Sequence, residues 1–204
     1  MKIDMANISY RDSHEVLASV IAPRPIAFVS TVGENGVFNL APFSFFAPLC
    51  TKPALIGFNV SSKRDGQKKD TIRNIESTKE FVINVVDETL AKSMNQTSAN
   101  FPSDVSEFTE VGLTPVKADL VKAPLVAESP INMECRLVQI LEFGEAPRIA
   151  GFIIGEVIQV HVKDELYHDG EIQPAKIKPI ARLGGELFCR TGDMFAMERP
   201  YVYE

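Results

Sequence analysis

Short runs rich in Val, Ile and Phe recur at residues 25–32, 37–39, 54–60, 80–86, 131–143 and 149–163, each bounded by Gly, Pro or Asp. That is the pattern of strands that bury at least one face. Between the first two runs, Gly33-Glu34-Asn35-Gly36 reads as a hairpin turn, because Asn-Gly tolerates the positive φ that tight turns need. Helical spacing is confined to residues 14–22, 70–78 and 87–95, the last two each with an Asp (Asp70, Asp87) placed to cap the first turn. Strands in runs, with helices inserted irregularly, favour a mostly antiparallel sheet or barrel over a doubly wound parallel fold. No repeat or Gly/Ser linker marks a boundary, so one domain over residues 1–204 is expected.

Two segments break the alternation. In Asn39-Leu40-Ala41-Pro42-Phe43-Ser44-Phe45-Phe46-Ala47-Pro48, two prolines remove backbone donors while Phe43, Phe45 and Phe46 crowd together. Such a strand cannot pair fully on both sides. It leaves free N–H and C=O groups beside aromatic surface, which suits the edge of a flat heteroaromatic ring and equally describes a Pro-broken core strand. The second segment runs from Ser61 and Ser62 through Lys63, Arg64, Lys68 and Lys69 to Thr71, between a strand and a helix start at Asp70 or Thr71. A helix N-terminus offers unpaired N–H groups and positive potential, so flanking hydroxyls and cations complete an anion site. The same residues also describe a solvated charged turn, and the segment alone does not choose between the two.

The composition narrows the function classes. At 45% hydrophobic and 24% charged, the chain can fill one core. A net charge of −6 argues against non-specific nucleic-acid binding. The N-terminus has no signal-peptide pattern, and the uncharged stretch 35–51 is broken by Pro42 and Pro48, so a soluble cytoplasmic protein with no membrane partner is expected. Cys50, Cys135 and Cys189 are odd in number and widely spaced, and His14, His161 and His168 have no ligand spacing, so neither a disulfide framework nor a metal site is expected. The chain lacks Gly-x-Ser-x-Gly, Gly-x-Gly-x-x-Gly and the P-loop pattern, so any nucleotide is held by another device.

Taken in order, Ala22-Pro23-Arg24-Pro25-Ile26, Asn39-Leu40-Ala41-Pro42-Phe43-Ser44, Arg64-Asp65-Gly66 with Lys69-Asp70-Thr71, Met94-Asn95-Gln96-Thr97-Ser98, Glu128-Ser129-Pro130 and Arg182-Leu183-Gly184-Gly185 resemble the flavin reductase-like, FMN-binding split-barrel family over nearly the whole chain. The family includes reductase components of two-component flavin monooxygenases. The resemblance implies a mainly β fold with peripheral helices, a six-stranded antiparallel Greek-key split barrel, assembled as a homodimer with FMN near the interface. It implies that Asn39, Ala41, Pro42 and Ser44 line the flavin ring and that Ser61, Ser62, Arg64, Lys69 and Thr71 hold the phosphate. Relatives often carry Tyr after Arg-Leu-Gly-Gly with two residues between, whereas this chain has Phe188, so no role is carried to that position.

The implied activity is hydride transfer from NADH or NADPH to flavin, then passage of electrons to a monooxygenase or other acceptor. His161 is the candidate catalytic residue, facing the nicotinamide, although a lone histidine at a strand end is more often structural. Two rival readings stand beside this one. The chain is a flavin storage or donor module without nicotinamide activity, or a split-barrel oxidase acting on a small organic substrate.

Overall fold

The computed structural model describes residues 1–200, so residues 201–204 of the expected domain lie outside the described residues. Helix α1 (Tyr10–Val20) begins ahead of the expected 14–22 because Ser9 caps it, its hydroxyl accepting from the Asp12 amide at 3.1 Å. The main strands are β1 (Ala27–Val32), β2 (Phe38–Phe43), β3 (Phe46–Cys50), β4 (Leu55–Ser61) and β5 (Glu80–Asn84). After the short pair β6 (Pro115–Val116) and β7 (Leu125–Val126) come the long strands β8 (Ile131–Phe143) and β9 (Ala150–Val162). Two small hairpins follow, β10 (Tyr167–His168) with β11 (Glu171–Ile172), and β12 (Ile180–Arg182) with β13 (Phe188–Arg190). The turn at residues 33–36 forms as expected: the Gly33 amide donates to the Val37 carbonyl at 2.9 Å, and Gly36 takes a φ of 79°.

The sheet runs β2-β1-β5-β8-β9-β4-β3, and every neighbouring pair is antiparallel. Strands β2 and β3 lie at opposite edges, yet only Ser44 and Phe45 separate them in the chain. Laid flat, seven strands would hold those edges about 30 Å apart, while the linking residues reach about 10 Å. The sheet therefore curls until its edges meet, and residues 38–50 act as one bent strand shared by both. Counted this way the barrel has the expected six strands. It is split at the bend, where the Asn59 amide donates to the Phe45 carbonyl at 2.9 Å and the outer edge of β2 has no strand partner among the described residues.

Inside the barrel Ala27, Val29, Phe58, Phe81, Ile83 and Ile153 form the main core. Gly155 makes room for Phe81, since a Cβ there would lie 2.3 Å from its Cζ. Phe28 and Leu40 point the other way, into a second core with Leu90, Met94 and Phe108, which is why β1 is buried on both faces. That second core seats α3 (Ala91–Gln96) and α4 (Glu107–Val111) against β2. Helix α3 starts later than the expected 87–95 because the Asp87 carboxylate accepts from the Thr89 and Leu90 amides, at 3.0 and 3.1 Å, and shapes a turn ahead of the helix.

Helix α2 (Asp70–Thr78) closes the barrel beside the split, burying Ile72 and Ile75, worth about 1.5–3 kcal/mol each. Its bounds match the expected 70–78, but its cap does not. The capping position is Lys69, with no side-chain acceptor, while Asp70 lies inside the first turn and binds Lys63 and Arg73. No helix among the described residues is long and apolar enough to cross a membrane.

Candidate functional site

The free edge of β2 and the uncapped start of α2 meet at the split. The Asn39 side-chain amide donates to the Thr71 hydroxyl at 3.1 Å, tying the two expected segments together. Three cavities adjoin Pro42. One of about 80 Å³ is lined by Asn39, Ala41, Pro42, Lys69 and Thr71, joined by Ser98. A second, about 270 Å³, lies under α1 and includes Ser44, Ser61 and Lys69 with His14. The third, about 410 Å³, lies on the far side of the bend and includes Ser44, His14, Arg24 and Arg182. Seven of the nine expected cofactor contacts thus line one or more of these three cavities, which share Pro42.

The other two differ. Ser62 has its hydroxyl committed to the Pro147 carbonyl at 2.8 Å, and Arg64 is exposed and lines none of these three cavities. Residues beyond those nine adjoin the same cavities. Lys63, from the cationic segment, and Ser98 line the smallest of the three, and His14 stacks on Phe45 with ring centroids 5.6 Å apart. Ser98 had a signal in the Thr97-Ser98 pair after a short helix. His14 had none beyond its place on an amphipathic helix.

The cations of the 61–73 segment are not equivalent. Lys63 lies 3.4 Å from Asp70, Arg73 also binds Asp70, and Lys68 lies 2.5 Å from Glu76 and 3.3 Å from Glu142. Lys69 has no such carboxylate partner among the described residues. Its ammonium is half-buried, 5.9 Å from the centroid of the Phe43 ring, and burial followed by the Lys63 charge pushes it below the usual lysine value. A desolvated, unpaired cation at the junction of two cavities is an arrangement that an anion stabilises.

Glu107 stands at the opposite wall of the smallest cavity, buried, its Oε2 accepting from the Leu40 amide at 2.9 Å. Burial raises this carboxyl, and Asp70 adds to the rise, against the lowering effect of the Leu40 hydrogen bond.

His161 belongs to another part of the molecule. From β9 its Nε2 lies 2.6 Å from Oε1 of Glu134 on β8, and it lines none of the three cavities at Pro42. Glu134 is wholly buried and also accepts from the Asp119, Leu120 and Val121 amides at 3.0, 2.7 and 3.0 Å. Burial pushes its carboxyl up, but the hydrogen bonds from His161, Leu120 and Asp119 outweigh that and hold it below the usual carboxylate value. Asp119 completes a trio with Glu134 and His161 whose ligand-type atoms lie within 4.8 Å of one another.

Residues 20–176 match the family model described as the flavin reductase like domain. A protein of Halalkalibacterium halodurans is 38% identical over 99% of this chain and 98% of its own length. Among solved structures, nitrilotriacetate monooxygenase component B from Bacillus cereus aligns with a TM-score of 0.92 and 35% identity, covering 97% of this chain and 98% of that one. The 2-nitrobenzoate 2-nitroreductase of Pseudomonas fluorescens aligns with a TM-score of 0.89 and 28% identity, covering 98% and 96%. On its fold and this coverage, the chain belongs to the flavin reductase-like family and is a flavin-binding oxidoreductase.

Proposed function

We propose that the chain binds FMN in the groove at the barrel split and acts as an NADH- or NADPH-dependent flavin reductase. The observation that carries this reading is Lys69, an unpaired, half-buried cation beside the uncapped first turn of α2 and against the free edge of β2. Lys69, Thr71 and Ser61 hold the phosphate. The donors and acceptors of Asn39, Ala41 and Ser44 meet the ring edge, while Pro42 and Phe43 give it apolar cover. Bound FMN supplies a two-electron acceptor for hydride from the nicotinamide. The protein orients the partners and offers fixed backbone dipoles where negative charge develops. It needs no general base, and the engagement of His161 with Glu134 favours a structural role for that histidine.

Electrons then pass to a monooxygenase or another acceptor, by analogy with the component B relative. A homodimer is favoured by the exposed strand β3, whose outer edge is unpaired and carries the exposed Leu49. Three free cysteines fit a reducing cytoplasm. A second reading, direct action on a small organic substrate, is favoured by the cavity of about 410 Å³ beyond the bend. Anaerobic mixing of FMN-loaded protein with each nicotinamide tests the proposal. Rapid bleaching of the flavin absorbance by NADH or NADPH is expected, and yellow protein inert to both would overturn it.

A further inference from the structure

We propose that the cavity between α1, the bend after β2 and the β12–β13 hairpin recognises the anionic group, carboxylate or phosphate, of the molecule that exchanges electrons with the flavin, and that Arg182 is its principal contact. This rests on the flavin assignment above, because the cavity shares Pro42, Phe43 and Ser44 with the ring-lining segment. At about 410 Å³ it has room for an organic acid or one part of a dinucleotide.

Its charge is unusual. Arg24 and Arg182 face each other in a two-residue ladder, each amide donating to the other's carbonyl at 2.9 and 2.8 Å, and both guanidinium residues line the cavity. Like charges set opposite one another repel, and among the described residues neither is bridged to a carboxylate. Burial, then the charge of Arg182, lowers Arg24 from its ordinary value. Glu15, the carboxylate on the rim, is exposed and pairs with Arg11 at 3.1 Å.

The two arginines divide the work. Arg24 is 6% exposed and donates to the carbonyls of Ala18, Ile21 and Leu183, fastening the end of α1 to the loop after β12. Its buried Nε has no partner among the described residues. Arg182 spends one N–H on the Gly185 carbonyl at 2.6 Å, lies 4.5 Å from the Phe188 ring centroid and is only partly buried. It therefore keeps donors for a bidentate anion contact. The Asn95 side chain supplies a neutral donor in the lining, while the Ser98 hydroxyl already donates to the Asn95 carbonyl at 2.6 Å.

The test is calorimetric titration of benzoate, inorganic pyrophosphate and, as a neutral control, benzamide into wild type, Arg182→Gln and Arg182→Lys, each FMN-loaded and FMN-free. FMN affinity is measured separately by fluorescence quenching. At least one anion should bind wild type and bind Arg182→Gln roughly tenfold or more weakly, with Arg182→Lys between them and benzamide indifferent to the substitution. Tighter benzoate identifies an organic acid as the electron partner, and tighter pyrophosphate a dinucleotide. FMN affinity should stay within about threefold in both variants, which also reports folding. Failure of both anions to bind wild type, or equal binding to wild type and Arg182→Gln, overturns the proposal. Failure of wild type to take up FMN overturns the flavin assignment instead, and the FMN-free titrations still read the anion site.

Discussion

Glu107 and Glu134 are both buried carboxylates beside the barrel, and their surroundings drive them in opposite directions. Glu134 accepts from three backbone amides and makes a short contact with His161, and it is held low. Glu107 has the Leu40 amide, faces a cavity shared with Asp70 and Lys69, and is pushed up. One region has used its hydrogen-bonding capacity internally. The other has capacity left over, and leftover capacity beside a cavity is what a ligand uses. This criterion supports the proposed site at the split of the barrel, whereas the Glu134–His161 cluster is a clasp that holds the 119–121 loop to β8.

The largest expected effect comes from breaking the saturated region. Glu134→Ala orphans three amides and the imidazole, and it should lower the unfolding free energy by about 3–5 kcal/mol. Denaturant unfolding at pH 7 measures this, and FMN affinity of the folded fraction should hold. Lys69→Met should do the reverse. It weakens FMN binding by about 1.5–3 kcal/mol, roughly ten- to a hundredfold, while stability holds or rises because a desolvated charge is gone. Thr71→Ala follows with a neutral-contact loss of about 0.5–1.5 kcal/mol. Arg64→Ala comes last in the same fluorescence titration, since an exposed side chain contributes about 0–1 kcal/mol.

The pH dependence should separate the two carboxylates. Glu134 has a lowered folded value, so its contribution to stability is present above the ordinary carboxylate range and is lost as pH falls through the folded value. Glu107 has a raised folded value, so its contribution is present below its unfolded value and is lost as pH rises through the folded one. Glu107→Gln, which keeps an acceptor for Leu40, should therefore be more stable than wild type at pH 8, with the difference vanishing near pH 4. Thermal unfolding across that range measures it.

Much of the barrel was readable because alternation and turn chemistry are local. Strand β8 and helix α2 lie where their periodicity puts them, and the proline-broken segment does leave an unpaired edge. Closure was not readable in residues 38–50 themselves. That β2 and β3 occupy opposite edges depends on pairing with β1 and β4 through contacts far apart in sequence.

The candidate site shows the same division. A cluster of cations before a helix is visible in the sequence, but which of them is free is not. Lys68 is neutralised partly by Glu142 from the distant end of β8, and Asp70 turns from an expected cap into the partner of Lys63 and Arg73, which among the described residues leaves the half-buried Lys69 and the exposed Arg64 without a carboxylate. For His161 the strand was legible and its neighbour was not. A register irregularity next to Glu134 helps set which side chains of β8 and β9 meet.

The most direct test of the central claim is a fluorescence-quenching titration of FMN into wild type and Lys69→Met at low salt and again at physiological ionic strength. Saturable binding to wild type, weakened at least tenfold in the variant, is the result this account predicts. Equal affinity in the two proteins would contradict it, as would a wild type that FMN never quenches.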